Sequence, residues 1–226
     1  LKGVVRFWFR EGDKGLTWEI LNIIGTIAFA ISGAIVAMEE EYDILGVYIL
    51  GLVTAFGGGA IRNLLIGVPI SALWDQGPLF LTAVSVITIV FVFPIRTLKQ
   101  WKKWGTCTDA IGLSAFSIQG ALYATEMNHP ISAIIVAALL TGSGGGMVRD
   151  VLAGRKPLLL HADIYGVWAM LSGLLIGLGF VNKAWELYLL FILVVVLRMF
   201  TVYYHWKLPY RSIRDNRESY KINHKG

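Results

Sequence analysis

The sequence predicts an all-α polytopic membrane protein: seven transmembrane helices, arranged as two inverted three-helix repeats plus a seventh helix. Three observations carry this reading. The 226-residue chain is 56% hydrophobic and 15% charged, with a mean hydropathy of +0.64, whereas soluble domains carry about 25% charged residues. Seven apolar segments approach the length that crosses a hydrocarbon core, about 20 residues. The stretch Phe56-Gly57-Gly58-Gly59-Ala60-Ile61-Arg62-Asn63 returns 87 positions later as Ser143-Gly144-Gly145-Gly146-Met147-Val148-Arg149-Asp150.

Residues 1–15 place Lys2, Arg6, Arg10 and Lys14 around Phe7, Trp8 and Phe9. No apolar core begins before Leu16 and no small-residue cleavage site stands out. This segment reads as an interfacial amphipathic lead-in rather than a signal peptide. The spans follow at 16–38, 44–68, 78–98, 108–125, 131–153, 164–181 and 184–204. Short polar links separate them: Glu39-Glu40-Glu41-Tyr42-Asp43, Trp74-Asp75-Gln76-Gly77, 99–105, 126–130, 155–163 and Asn182-Lys183. Pro78, Pro130 and Pro157 fall at or near span boundaries, where a missing N–H disrupts least. The expected organisation is therefore a first repeat at 16–98, a second, inverted repeat at 99–183, a seventh helix at 184–206 and a basic cytoplasmic tail at 207–226.

An odd number of spans puts the termini on opposite sides. The N-terminal side holds five basic residues, four in the lead-in plus Lys183. The other side holds Arg96, Lys99, Lys102, Lys103, Arg155, Lys156, Lys207, Arg211, Arg214, Arg217, Lys221 and Lys225. Basic residues accumulate in cytoplasmic loops, so the N-terminus is expected outside and the C-terminus in the cytoplasm. The net charge of +5 is accounted for by this bias and does not signal nucleic acid.

Residues 22–67 align with 109–154 at a constant offset, and about 18 of 46 positions are identical. Matches include Gly25/Gly112, Phe29/Phe116, Gly33/Gly120, Glu39/Glu126, Thr54/Thr141 and Gly67/Gly154. A repeat of three spans forces its second copy upside down. Transporters and channels of this architecture carry their pathway at the repeat interface.

Gly57, Gly58 and Gly59, with Gly144, Gly145 and Gly146, are expected to break or kink their helices, because each glycine weakens a helix by about 1 kcal/mol relative to alanine. Backbone freed in this way needs water or protein partners, so both motifs are expected to line an interior pathway. An arginine inside a span marks function by default. Arg62 falls toward the outer end of its span with Asn63 beside it and Asn22 at matching depth; Arg149 falls toward the inner end with Asp150 and Asp109. An Arg149–Asp109/Asp150 cluster is expected on the cytoplasmic side, and an uncompensated Arg62 toward the outside. Thr54 and Thr141, with Ser143, are further pathway candidates. Other span hydroxyls usually bond back to their own helix. Arg198 is expected to reach outward to the cytoplasmic headgroups.

Several chemistries are excluded by what the sequence lacks. Neither glycine motif continues as Gly-Lys-Ser/Thr after a strand, so neither is a nucleotide-binding loop. The lone Cys107 allows no internal disulfide and no Cys-x-x-Cys site and reads as a small apolar filler, while four scattered histidines offer no metal site. His161 and Asp163 read as solvated loop residues. No catalytic constellation is present, so no enzyme activity and no cofactor are expected.

On these features the chain resembles the prokaryotic members of the trimeric intracellular cation channel family, also known as tandem glycine transporter domains. The likeness covers roughly residues 17–206 and rests on seven spans, two inverted repeats and the paired motifs at Gly57–Asn63 and Gly144–Asp150. It implies a homotrimer in a prokaryotic plasma membrane, with membrane lipid around it and a pore in each subunit. That pore is lined by spans one, two, four and five, kinked at the glycines, and permeable to K⁺ and Na⁺. Asn63 departs from the Arg-Asp version of the motif. A secondary carrier for glycine or another small solute is the alternative that the same repeat would serve.

Overall fold

In a computed structural model, residues 13–69, 76–93, 98–161 and 164–206 are described. The lead-in at 1–12, Trp74, Asp75, Arg96, Asp163 and the tail at 207–226 lie outside the described residues. The described residues form helices α1 (Asp13–Glu39), α2 (Ile44–Ile66), α3 (Gly77–Val92), α4 (Leu98–Glu126), α5 (Ile131–Leu152), the single turn α6 (Leu158–His161), α7 (Tyr165–Gly177) and α8 (Ala184–Tyr203).

Local chemistry sets these boundaries. Asp43 caps α2 by accepting from the Gly46 amide at 2.7 Å. Both α2 and α5 stop at a glycine in the left-handed region, Gly67 at φ 77° and Gly154 at φ 68°, a conformation that a Cβ disfavours. Pro78 sits in the first turn of α3, where its missing donor is not needed. Glu186 folds back to accept from the Asn182 and Lys183 amides at 2.8 and 2.9 Å and opens α8.

Helices α1, α2, α5 and α8 are long and apolar enough to cross a membrane, while α3 and α7 are apolar but shorter. The chain is a multi-pass helical membrane protein. Two boundaries differ from expectation. Helix α4 starts at Leu98, so residues 99–105 are helical rather than a link. Lys99, Gln100, Lys102 and Lys103 are good helix formers, and no proline or cap interrupts them. The expected 155–163 link contains α6.

The larger correction concerns the glycines: α2 and α5 run as unbroken helices through Gly57-Gly58-Gly59 and Gly144-Gly145-Gly146. Tertiary contact outweighs propensity there, because the missing side chains let two helix backbones touch.

Packing follows the repeat. Within each half the three main helices contact one another, α1, α2 and α3 in the first and α4, α5 and α7 in the second. The halves meet through equivalent helices, α1 against α4 and α2 against α5. Helices α1 and α4 run in opposite directions. Trp18, early in α1, lies 6.3 Å ring to ring from Tyr123, late in α4. A Cβ on Gly105, early in α4, would sit 3.3 Å from Ile35, late in α1. Phe29 and Phe116, which are repeat equivalents, meet at 5.3 Å between ring centroids at the middle of this pair. Helix α8 packs on α4 and α7 and leaves Leu189, Ile192, Leu193 and Val196 exposed on an apolar outer face suited to lipid.

Candidate functional site

The halves join most closely where α2 crosses α5. A Cβ on Gly58 would overlap the Thr141 carbonyl oxygen, and one on Gly145 would overlap the Thr54 carbonyl oxygen. The two clashes are repeat equivalents of each other, as expected of a pseudo-two-fold crossing. Gly144 adds to it: its Cβ would lie 3.2 Å from the Gly58 Cα. Gly57 is looser, with 3.6 Å to the Gly145 Cα. Gly59 faces a cavity described below, and Gly146 faces the Tyr165 hydroxyl and Asp109. Thr54 and Thr141 are fully buried and donate to their own helices, to Leu50 O at 2.6 Å and Ala137 O at 2.5 Å. Ser143 likewise donates to Leu139 O at 2.6 Å. A Cβ on Gly33 or on Gly120 would meet the Thr54 or Thr141 hydroxyl, each at 2.5 Å, so both threonines pack against glycines of α1 and α4.

On one side of this crossing lies Arg149, 2% exposed. Its Nη1 donates to Asp109 Oδ1 at 2.7 Å and to Ser32 Oγ at 2.6 Å; its Nε and Nη2 both reach Asp150 Oδ1 at 2.8 Å. Asp150 Oδ2 also accepts the Leu158 amide of α6 at 2.9 Å. The sequence places Asp109, Arg149 and Asp150 together, and the structure brings them together. Ser32 was visible in the sequence only as a polar residue inside a span. Tyr165, at the start of α7, closes this end, and its ring carries Arg198 at 4.6 Å. Arg198 does not reach outward to headgroups: it is 2% exposed, because α8 turns this position inward onto Tyr165.

On the other side lies Arg62, 5% exposed. Its Nε and Nη2 donate to Asn63 Oδ1 at 3.1 and 3.0 Å, and its guanidinium stacks 4.5 Å from the centre of the Tyr123 ring. Beside it is a cavity of about 20 Å³, lined in part by Trp18, Asn22, Thr26, Gly59, Gln76 and Gln119. Room for about one water results. Gln119, like Ser32, was visible in the sequence only as a polar residue inside a span, and Tyr123 carried no signal; packing of α4 on α1 and α2 brings both here.

Beyond the Arg149 end, Arg155 bridges Glu39 at 2.8 Å and Glu40 at 2.5 Å, and the Tyr42 hydroxyl donates to Leu152 O at 2.8 Å. Partial burial disfavours the Arg155 charge, but the bonds from Glu40 and Glu39 outweigh it and raise its pKa above the ordinary arginine range. These contacts fasten the α1–α2 turn to the α5–α6 turn, so both turns lie on one face. Among the described residues no group of histidine, cysteine and carboxylate side chains is arranged to hold a metal ion.

The glycine transporter family model matches this chain twice, over residues 19–95 and 106–182, the second match displaced by 106 − 19 = 87 positions. The UPF0126 membrane protein YvgT of Bacillus subtilis is 67% identical over 202 residues, covering 89% of this chain and all of that protein. The inner membrane protein YadS of Escherichia coli is 32% identical, covering 87% of this chain and 97% of its own. Among solved structures, a prokaryotic TRIC channel crystallised in 0.5 M KCl superposes with a TM-score of 0.78 at 34% identity, over 85% of this chain and 99% of that one. The TRIC trimeric intracellular cation channel orthologue of Rhodobacter sphaeroides gives 0.75 at 28% identity, over 83% and 97%. These relatives are channels and membrane proteins, not enzymes. With both of its halves matched by that model and most of its length superposed on a prokaryotic TRIC channel, the chain belongs to the glycine transporter family.

Proposed function

We propose that the chain is a monovalent cation channel that passes K⁺ and Na⁺. Seven spans form two inverted three-helix repeats and a closing helix, and the pathway runs between the repeats, along α1, α2, α4 and α5. The observation that carries this is the pair of buried arginines, Arg62 and Arg149, at the two ends of one glycine-lined crossing. The antiparallel packing of α1 on α4 and the reciprocal Gly58 and Gly145 contacts support the inversion. Asp109 and Asp150 bring carboxylate oxygens to the Arg149 end, where Arg149 and Arg198 balance their charge and a passing cation gains only weak, exchangeable binding of the kind conduction needs. Between the ends, backbone contact at Gly58 and Gly145 closes the path, so this conformation is the shut one and opening separates α2 from α5.

The similarity to trimeric TRIC channels supports a homotrimer in a prokaryotic plasma membrane, each subunit with its own pathway. The twelve-to-five basic bias supports an outer N-terminus and a cytoplasmic C-terminus. A carrier for glycine or another small solute is the rival that the family description favours. Proteoliposomes loaded with K⁺ or Na⁺ test the reading: both cations should leak down their gradients without saturating. Cation-tight vesicles showing saturable solute counterflow would establish the carrier instead.

A further inference from the structure

The two buried arginines are repeat equivalents in unequal surroundings. Arg149 faces two carboxylates, Asp109 and Asp150. Their equivalents in the first repeat are Asn22 and Asn63, amides of nearly the same shape without the charge. Among the described residues no carboxylate lies within ion-pair distance of Arg62, whose contacts are the Asn63 side chain and the Tyr123 ring. A guanidinium does not shed its proton to escape burial. A buried charge without counter-charge is heavily penalised. Next to it lies the cavity of about 20 Å³, whose polar lining is the amides of Asn22, Gln76 and Gln119 and the hydroxyl of Thr26, all able to donate.

We infer that this cavity binds a small monovalent anion of halide size, which supplies beside Arg62 the counter-charge that the second repeat builds in as carboxylate. Space for at least one water beside the guanidinium accommodates a single-atom anion. Charge-assisted bonds from the guanidinium hold the ion, and the neutral donors complete its shell. The consequence for conduction rests on the channel reading: a bound halide removes the positive barrier that Arg62 sets against cations at that mouth. The binding itself does not rest on that reading.

The test is thermal stability of the purified protein in detergent, in potassium chloride and potassium bromide against potassium gluconate at equal ionic strength. Halide should raise Tm by about 2–4 °C over gluconate. Asn63→Asp, which restores the carboxylate found at the equivalent Asp150, should abolish the difference, and Arg62→Gln should do the same. Arg155→Gln, on the surface, should retain it. Anomalous scattering from wild-type crystals in bromide, which depends on no variant, should place a peak in this cavity. Equal stability of the wild type in halide and gluconate, a difference that survives in Asn63→Asp, or bromide peaks elsewhere only, would each overturn the inference. Failure to conduct K⁺ would leave it standing.

Discussion

Arg149 spends three of its nitrogens on Asp109, Asp150 and Ser32 in a site that solvent barely reaches. Removing one carboxylate leaves a buried guanidinium half compensated. Breaking a buried pair destabilises by about 3–5 kcal/mol. We expect Asp150→Asn to fall at the low end, about 3 kcal/mol, because Asp109 remains. The same variant should change conductance or its voltage dependence; currents identical to wild type would remove Asp150 from the pathway. The glycines make a second prediction. Gly58→Ala drives a methyl into the Thr141 carbonyl, whereas Gly57→Ala meets its nearest atom at 3.6 Å. Overpacking of this kind costs about 1–3 kcal/mol. Gly57→Ala should instead be neutral or gain up to about 1 kcal/mol of helix propensity. Thermal melts of the two variants separate these outcomes, and equal melts would mean the crossing is loose. The charged members of the site were legible in the sequence, since an arginine in an apolar span with an acid beside it has few other readings. Ser32, Tyr123 and Tyr165 were not, because no spacing along the chain records which helix lies opposite.

At the scale of elements, the repeat offset located the helices and paired them, and each expected span contains one. What the sequence misjudged was the continuity of α2 and α5. Three glycines in succession argue for unwinding by propensity alone. Packed against a second glycine run, they instead allow backbone contact, and the helix continues unbroken through the motif. The start of α4 was hidden for a related reason: polarity marks 99–105 as outside the lipid, yet says nothing against helix. Two interfaces join the halves with unequal strength. Phe29 is fully buried against Phe116 between α1 and α4. Phe29→Ala should cost about 3–5 kcal/mol. Arg155, with its side chain about a third exposed, ties only two turns. Arg155→Ala should cost no more than about 1 kcal/mol. Comparable losses in chemical or thermal unfolding would mean that the turn contacts, not the helix pair, hold the halves together.

At the scale of the whole molecule, a chain whose two halves match one family model carries unequal chemistry at the two ends of the α2–α5 crossing. Duplication supplies two arginines at opposite ends of one crossing. Divergence leaves carboxylates at Arg149 and amides at the equivalent positions near Arg62, so the two ends of the crossing differ although the two halves align in sequence. Composition and periodicity carried the membrane class and the duplication. They carried nothing about a trimer, which a single chain's sequence pattern does not encode. Single-channel recording of the purified wild-type protein in planar bilayers, under a K⁺ gradient, tests the central claim most directly. The account predicts discrete current steps that reverse near the K⁺ equilibrium potential and change size in Asp150→Asn. Folded protein that gives no steps, or steps that reverse near the anion potential, would contradict it.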